Sequence, residues 1–223
     1  MVRFFVLRRT SVAALLALSA AMAMPALPAA ASIQKMVYQI QHRTYGRIGT
    51  LTNSVDKNGE QTKVTSEGQI RVSILGIVLY RQDFSRLEQW AGDRLMSFHG
   101  TTTVNGRMME VNGAAEGDHF VVSSPNGSAT APATVRLANP WSDSTLKGDT
   151  MMTPDRGIIE TVKISSAETT SIPIKGRMVR ARHYEISRQT GERRYDVWFD
   201  DQGTPVKFSV NTGNGLVTFT LVS

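Results

Sequence analysis

The sequence predicts an all-β protein: a single curved antiparallel sheet of roughly ten to twelve strands, closed as a barrel or open as a half-barrel. Three observations predict it. Short runs of alternating apolar and polar residues recur along the chain, Gly, Asn and Asp separate them at short intervals, and no long amphipathic helix is evident. A sheet of this size must curl or split to bury one face, because a large flat sheet leaves both faces in water.

The first 31 residues have the pattern of a secretory signal peptide. Three arginines precede an apolar segment at 12–24, Pro25 ends it, and small residues follow at 29–31. A membrane anchor needs about 20 unbroken apolar residues, so Pro25 favours cleavage, after Ala31. We therefore expect residues 1–31 to be removed and residues 32–223 to form one periplasmic domain. Arg8-Arg9 lacks the apolar residue that a twin-arginine signal places after the pair, so general secretion is expected, leaving no transmembrane segment.

Charge and cysteine content exclude several classes of protein. Loss of the three arginines in 1–31 lowers the formal net charge from +6 to +3, and the remaining charges are interspersed. A nucleic-acid groove needs a basic stripe with interleaved aromatic residues, so no nucleic-acid partner is expected. The chain has no cysteine, which excludes disulfides, thiolate metal sites and a cysteine nucleophile. Core burial alone must hold the domain together.

Alternation and turn residues place the strands of the N-terminal half. Residues 61–90 form the longest stretch without strong breakers. Ile70, Val72 and Ile74 alternate with polar residues, and Gly76 is predicted to mark a bend or bulge. Asn105-Gly106 is the strongest short hairpin signal in the chain. Further strands are predicted at 36–40, 48–55, 77–80, 84–90 and 95–103, with turns at 56–59, 91–94, 116–118 and 125–127.

The middle of the chain breaks this rhythm and the C-terminal part resumes it. Residues 138–156 are predicted to form an irregular loop, a lid, or a short helix near 142–152 capped by Ser142 or Asp143. Asp200-Asp201-Gln202-Gly203 predicts a hairpin turn with Asx hydrogen bonds and a glycine at positive φ. Predicted strands follow the loop at 158–165, 172–175, 178–187, 195–199, 206–210 and 216–222. Residues expected to face the interior are Ile70, Val72, Ile74, Val197, Phe199, Val206 and Phe208.

No catalytic motif is present. The sequence has neither His-Glu-x-x-His nor Gly-x-Ser-x-Gly, and its four histidines lie far apart. A Ser–His–acid triad could assemble in space, and His99, His183 and Glu185 could bind a metal ion, but ordinary strand positions explain these residues equally well. We therefore expect no catalytic residue, no metal and no cofactor.

Acidic residues near two turns are a second candidate for chemistry. Glu88 and Asp93 flank one turn, and Glu110, Glu116 and Asp118 surround the next hairpin. Paired carboxylates can act as the acid and base of a glycosidase. Carboxylates near hairpin turns are more often solvated, and three tryptophans supply little of a sugar-stacking cleft, so we expect these side chains to be exposed.

The three tryptophans are the predicted ligand contacts. Trp90 and Trp198 each end a strand next to an acidic turn, and Trp141 lies in the irregular segment after Asn139-Pro140. They could rim the mouth of a cavity with 138–156 as its lid. Alternatively, they close the ends of the curved sheet as ordinary packing, as large aromatic residues often do.

Several stretches resemble one known family. They are Tyr38-Gln-Ile with Tyr45-Gly-Arg-Ile-Gly49, Leu75-Gly-Ile-Val-Leu-Tyr80, the hairpin from Glu88 to Thr102 followed by Asn105-Gly106, and Trp198-Phe-Asp-Asp-Gln-Gly203. In this order over residues 33–222 they resemble the exported bacterial family catalogued as domain of unknown function 6134. The resemblance implies a periplasmic all-β domain and, more distantly, the half-barrels of lipoprotein-carrier-like proteins. It implies no catalytic residues.

The predicted function is therefore non-catalytic binding of an apolar or amphipathic ligand, such as a lipid, on the curved sheet. The alternative is a structural or adaptor protein of the cell envelope that binds a protein partner through its sheet edges or the 138–156 loop. A cavity of several hundred cubic ångströms would favour the first, and a packed interior with an exposed apolar patch the second.

Overall fold

The computed structural model describes residues 32–189 and 194–223, with nothing described of the Ser32 and Arg194 side chains. The predicted signal peptide at 1–31 lies outside this range. Within it, no helix is long and apolar enough to span a membrane.

Strands make up most of the described chain. Their bounds are β1 Ser32–His42, β2 Gly46–Asn58, β3 Gln61–Ile74, β4 Ile77–Ala91, β5 Arg94–Val104, β6 Arg107–Glu116, β7 His119–Ser124, β8 Gly127–Pro132, β9 Arg136–Leu137, β10 Thr150–Met152, β11 Ile159–Ile164, β12 Glu168–Ile174, β13 Arg177–Arg188, β14 Arg194–Phe199, β15 Pro205–Thr212 and β16 Gly215–Leu221. One 3-10 helix spans Asp143–Leu146.

The sixteen described strands form one sheet, in the order β8-β7-β6-β5-β4-β3-β2-β1-β16-β15-β14-β13-β11-β10-β9, with β12 also paired to β13. Every pairing is antiparallel except β9 with β10. The two ends of this path, β8 and β9, are not paired to each other, so the sheet is open. The predicted all-β class and half-barrel are confirmed, while the predicted strand number is too low.

The turn at Gly76 explains part of that difference. The sequence predicts a bend or bulge there, but the chain reverses at Leu75-Gly76, and β3 and β4 pair from Ile74 with Ile77 to Gln61 with Ala91. Both turn residues have positive φ, 49° at Leu75 and 83° at Gly76. Asn-Gly is the usual sequence signal for this turn, and leucine in place of asparagine leaves the turn without that signal. For the same reason Ile74, predicted to be interior, lies near a hairpin tip and is 44% exposed.

The C-terminal hairpin follows its prediction. Asp200 Oδ1 accepts hydrogen bonds from the backbone N–H groups of Gln202 (3.0 Å) and Thr204 (2.9 Å), and Gly203 has φ +77°. The other residues predicted to be interior are buried or pack against the buried clusters, namely Ile70, Val72, Val197, Phe199, Val206 and Phe208.

The segment between β8 and β11 crosses the inner face of the sheet. Val135, Leu137 and Trp141 of this segment are buried in the same cluster as Phe98 and Phe120 of the N-terminal strands. The helix predicted near 142–152 is only the 3-10 turn, because β10 takes up Thr150–Met152. Its predicted cap is present, since Ser142 Oγ accepts a hydrogen bond from Ser144 N at 3.3 Å.

Three glycines on the inner face make room for aromatic rings. A Cβ atom at Gly68 would lie 2.2 Å from Cζ of Phe84, the residue opposite it on β4. Gly100 and Gly113 are covered in the same way by Phe98 and Phe120. Each pair lets a large ring lie flat on the sheet, which is how this face stays closely packed while it curves.

We therefore expect Gly68→Ala to lower the free energy of unfolding by about 1–3 kcal/mol, because the new methyl group overlaps the Phe84 ring. Gly213→Ala is the matched control, since apart from its chain neighbours no described atom lies within 4 Å of its Cβ position. It should change stability by less than about 0.5 kcal/mol. Chemical denaturation measures both, and equal stability of the two variants would contradict the overlap.

Candidate functional site

A cavity of about 620 Å³ lies between the two halves of the sheet and the segment that crosses its inner face. Its size is that of a small-molecule pocket. One wall comes from β2 to β4, the opposite wall from β13 to β16, and the third from the crossing segment. The apolar lining residues are Ile48, Leu51, Ile70, Val72, Leu79, Phe84, Leu137, Ala138, Pro140, Leu146, Met151, Pro154, Ile186, Val197, Phe208, Val210, Val217 and Phe219.

The mouth of the cavity lies at one end of the sheet. Tyr45 of the β1–β2 turn and Leu79 beside the β3–β4 turn line it and are 46% and 54% exposed. Asn214 of the β15–β16 turn also lines it, and its carbonyl oxygen is 3.0 Å from Nε2 of His42. Alternate turns of an antiparallel meander lie at the same end, so these three turns surround one opening.

Arg86 is the one cationic side chain in this lining within the described ranges. It is half-buried, its Cζ atom lies 4.2 Å from the Phe84 ring centroid, and its buried Nε has no hydrogen-bond partner among the described residues. Burial lowers the pKa of Arg86 to about 10, and the charges of Asp155 and Glu88 oppose that shift. The guanidinium stays protonated at neutral pH and can still donate hydrogen bonds to an acidic group in the cavity.

Glu88 lies behind this wall and is fully buried. Its Oε1 accepts a hydrogen bond from Asn139 Nδ2 at 2.7 Å, and its Oε2 accepts one from Nε1 of Trp90 and one from Nε1 of Trp141, each at 3.0 Å. Asn139 Nδ2 also donates to Ser66 Oγ at 3.0 Å. The prediction that Glu88 is solvated is therefore wrong: its carboxylate fastens the crossing segment to β4.

Burial raises the pKa of Glu88 to about 7, and the three hydrogen bonds and the charge of Arg86 keep it from rising further. A perturbed carboxyl often marks a catalytic site. Here every observed partner is a structural donor, and Glu88 is absent from the cavity lining. Of the other predicted carboxylates, Asp93 and Asp118 are exposed as expected.

The three predicted ligand-binding tryptophans are not among the lining residues of the cavity. Trp90 and Trp141 contact each other edge to face, with ring centroids 5.8 Å apart, and share the Glu88 carboxylate. Trp198 stacks on His183 at 4.4 Å, and Lys207 Nζ lies 4.6 Å from its ring centroid. These contacts match the packing alternative, and direct ligand contact by the tryptophans stays a prediction.

One group of side chains could hold a metal ion. The ligand atoms of His183, Glu185 and Asp196, on β13 and β14, lie within 4.8 Å of one another. An imidazole with two carboxylates suits a divalent transition metal. The sequence predicted a set of His99, His183 and Glu185, and the structure brings only His183 and Glu185 of that set together. His99 lies on β5, with its Nδ1 2.7 Å from Asn112 Oδ1. His183 Nε2 lies 2.9 Å from Asp196 Oδ1, a contact that also holds the ring without a metal.

The sequence signal that could have revealed the cavity is weak. The inner face of β4 takes every second residue from 84 to 90, and this alternation places two charged residues, Arg86 and Glu88, between Phe84 and Trp90. Charged residues on such a face are unusual unless they are paired or functional. That alternation was the available clue.

Comparisons with known proteins give a family and a fold. The family described as "Domain of unknown function (DUF6134)" matches residues 38–222. No curated protein matches the sequence. A crystal structure from Brucella abortus, described as a beta-barrel-like protein of domain of unknown function DUF1849, has a TM-score of 0.59 at 12% identity, over 85% of this chain and 95% of that one. A DUF1089 family protein from Pseudomonas aeruginosa covers 84% of this chain and 94% of its own, with 12% identity and a TM-score of 0.35.

We expect the Glu88 carboxyl to make stability depend on pH. Its pKa is raised from 4.5 to about 7 on folding, so the folded state holds the proton more tightly than the unfolded state. The contribution of Glu88 to the free energy of unfolding should therefore be fully present below pH 4.5 and fall by about 3 kcal/mol as pH rises through 7. Denaturation of the wild type and of Glu88→Gln over this range measures the effect. Glu88→Gln should lose that slope, and the same slope in both proteins would contradict the assignment.

Proposed function

The chain belongs to the DUF6134 family, a domain of unknown function, and we propose that it is a non-catalytic binding protein for an amphipathic ligand held in the cavity. The proposal rests on the largely apolar cavity of about 620 Å³, whose lining contains the guanidinium group of Arg86 and the carboxylates of Asp155 and Asp196. We also propose that the protein acts in the periplasm, because residues 1–31 have the sequence pattern of a secretory signal peptide.

The lining suggests the chemistry of the ligand. Most of the wall is aliphatic or aromatic, so burial of a hydrocarbon chain would supply most of the binding free energy. Arg86 would orient the ligand, because a carboxylate or phosphate can accept hydrogen bonds from its guanidinium in a site of low dielectric. A fatty acid or another single-chain acidic lipid has both features.

The alternative is an envelope adaptor that binds a protein partner, and residues 138–156 give it little support. Residues 138–156 were a predicted partner surface, but Asn139, Trp141, Thr145 and Met152 of this segment are buried. An adaptor would have to use the sheet edges, β8 and β9, or the hairpin tips.

Native mass spectrometry of protein purified gently from its own periplasm tests the proposal. A co-purifying mass that dissociates as an acidic lipid is the expected result. A clean apo mass, together with no displacement of a fluorescent fatty acid, would contradict it.

We expect Val217→Phe to weaken fatty-acid binding by at least about tenfold, because the larger side chain occupies cavity volume. The control is Val121→Phe, the same change on β7 outside the lining, which should bind as the wild type does. Fluorescence titration measures both affinities. Equal loss in the two variants would mean that the added ring, and not cavity volume, causes the effect.

We expect Arg86→Met to discriminate between ligand classes. It keeps much of the side-chain volume and removes the cation, so the affinity for a fatty acid should fall by about tenfold or more, while that for the matching fatty alcohol should change little. Competition titrations with the two compounds measure the ratio. An equal change in the affinities for the acid and the alcohol would contradict a contact between Arg86 and the head group.

A further inference from the structure

The β3–β4 hairpin projects beyond the rest of the sheet. Its neighbour β2 pairs with β3 only as far as Ile70, opposite Gly49, and β5 pairs with β4 only from Gln82, opposite Val104. Residues 71–81 therefore form ladder pairs only with each other. We call this extension, residues 71–81, the tip hairpin. A two-stranded hairpin alone in water is marginally stable at best, so such a projection suggests a surrounding other than water.

The end of the tip hairpin is apolar and exposed. Leu75 is 97% exposed, and four neighbouring side chains are exposed by 44–66%, namely Ile74, Ile77, Val78 and Leu79. These residues form one contiguous run interrupted only by Gly76. A contiguous exposed apolar patch marks an interaction surface, whereas scattered apolar residues do not.

The turn keeps leucine where local conformation disfavours it. Three of the described hairpins have two-residue turns with positive φ at both positions: Leu75-Gly76, Asn105-Gly106 and Lys175-Gly176. Asparagine is favoured at the first position, whereas a bulky side chain is strained there. The end of the tip hairpin therefore carries an apolar side chain despite a conformational cost, which points to a role for that side chain.

Positive charge surrounds the base of the tip hairpin. Arg71 and Arg81 face each other across it, and Arg43, Arg47 and Arg107 lie at the same end of the sheet, on or beside the β1–β2 and β5–β6 turns. Asp83 pairs with Arg81 at 2.7 Å, and Asp155 lines the mouth. Of the described hairpin turns at this end, only the β10–β11 turn contains a carboxylate, Asp155, next to Arg156, whereas those at the opposite end contain Glu60, Asp93, Asp118, Asp200 and Asp201 with one lysine, Lys175.

We propose that the tip hairpin docks the protein on an anionic lipid bilayer, with its apolar end inserted and its arginines at the headgroup level. From Arg71 to Leu75 an extended strand rises about 13 Å. The headgroup region of one leaflet is about 6 Å thick, so the turn reaches the acyl chains while the guanidinium groups stay among the phosphates. Tyr45 and Tyr80 lie near the same level, where tyrosine is favoured at membrane interfaces.

The docked orientation turns the mouth of the cavity toward the bilayer, since Val72, Leu79 and Tyr80 of the tip hairpin line the cavity. This inference goes beyond the proposed function and does not require it: the tip hairpin can dock whether or not the cavity holds a ligand. Vesicle binding and fatty-acid titration therefore test the two proposals separately.

Co-sedimentation with vesicles tests the docking, using vesicles of phosphatidylcholine alone and of its equimolar mixture with phosphatidylglycerol. The wild type is expected to bind the mixed vesicles, and more weakly at higher salt. Leu75→Asn should lower that affinity about tenfold, since the Leu75 side chain no longer enters the bilayer. It should not destabilise the fold, because Asn-Gly is the preferred sequence for this turn.

Met178→Thr is the matched control, because Met178 is 65% exposed on β13 at the opposite end of the sheet. It should bind vesicles as the wild type does. Arg71→Gln should reduce both the affinity and its salt dependence. Absence of wild-type binding to mixed vesicles, or equal binding by Leu75→Asn and the wild type, would overturn the proposal and leave the exposed tip to a protein partner.

Discussion

The buried carboxylate of Glu88 is the interaction on which the inner architecture depends. An open sheet of this size cannot cover its own inner face, so the chain between β8 and β11 must cross it. Asn139 and Trp141 bring that crossing segment to Glu88, and Trp90 joins them from the same strand as the carboxylate. An unpaired charge at this depth would be strongly unfavourable, so the three donors and the acceptor require one another. One wall of the cavity is fixed in place as a result.

One part of β4 lines the cavity, and the next part carries the hydrogen bonds of Glu88. Phe84 and Arg86 line the cavity, whereas Glu88 and Trp90 hold the crossing segment two and four residues further along the same inner face. The two charges differ in their surroundings. Glu88 has its hydrogen-bonding capacity met by protein donors, and Arg86 keeps a buried N–H group that the described residues leave unmatched. That difference is why Arg86 is the proposed ligand contact, whereas Glu88 has a structural role.

The sequence predicted the antiparallel class, the Asp200–Gly203 turn and the Ser142 cap, because each depends on residues close in the chain. It missed the reversal at Leu75-Gly76, where leucine occupies a position that asparagine normally signals. It also missed the burial of Glu88, since Asn139 and Trp141 approach from a distant part of the chain. The three tryptophans are conspicuous in the sequence, but periodicity cannot distinguish a ring that contacts a ligand from one that donates a hydrogen bond to a carboxylate.

The pairing of β1 with β16 has a consequence for how the chain folds. The strands from β1 to β8 form a meander of neighbouring hairpins that local contacts can assemble early. The C-terminal strands join it only through β1, where Tyr38 lies opposite Leu221 and Val37 exchanges backbone hydrogen bonds with the final residues. Closing so long a loop costs conformational entropy before any stabilising contact forms. Contacts between residues far apart in the chain therefore slow folding. We therefore expect β1 to pair with β16 late in folding. Until that pairing forms, the free edge of β1 can pair with other chains.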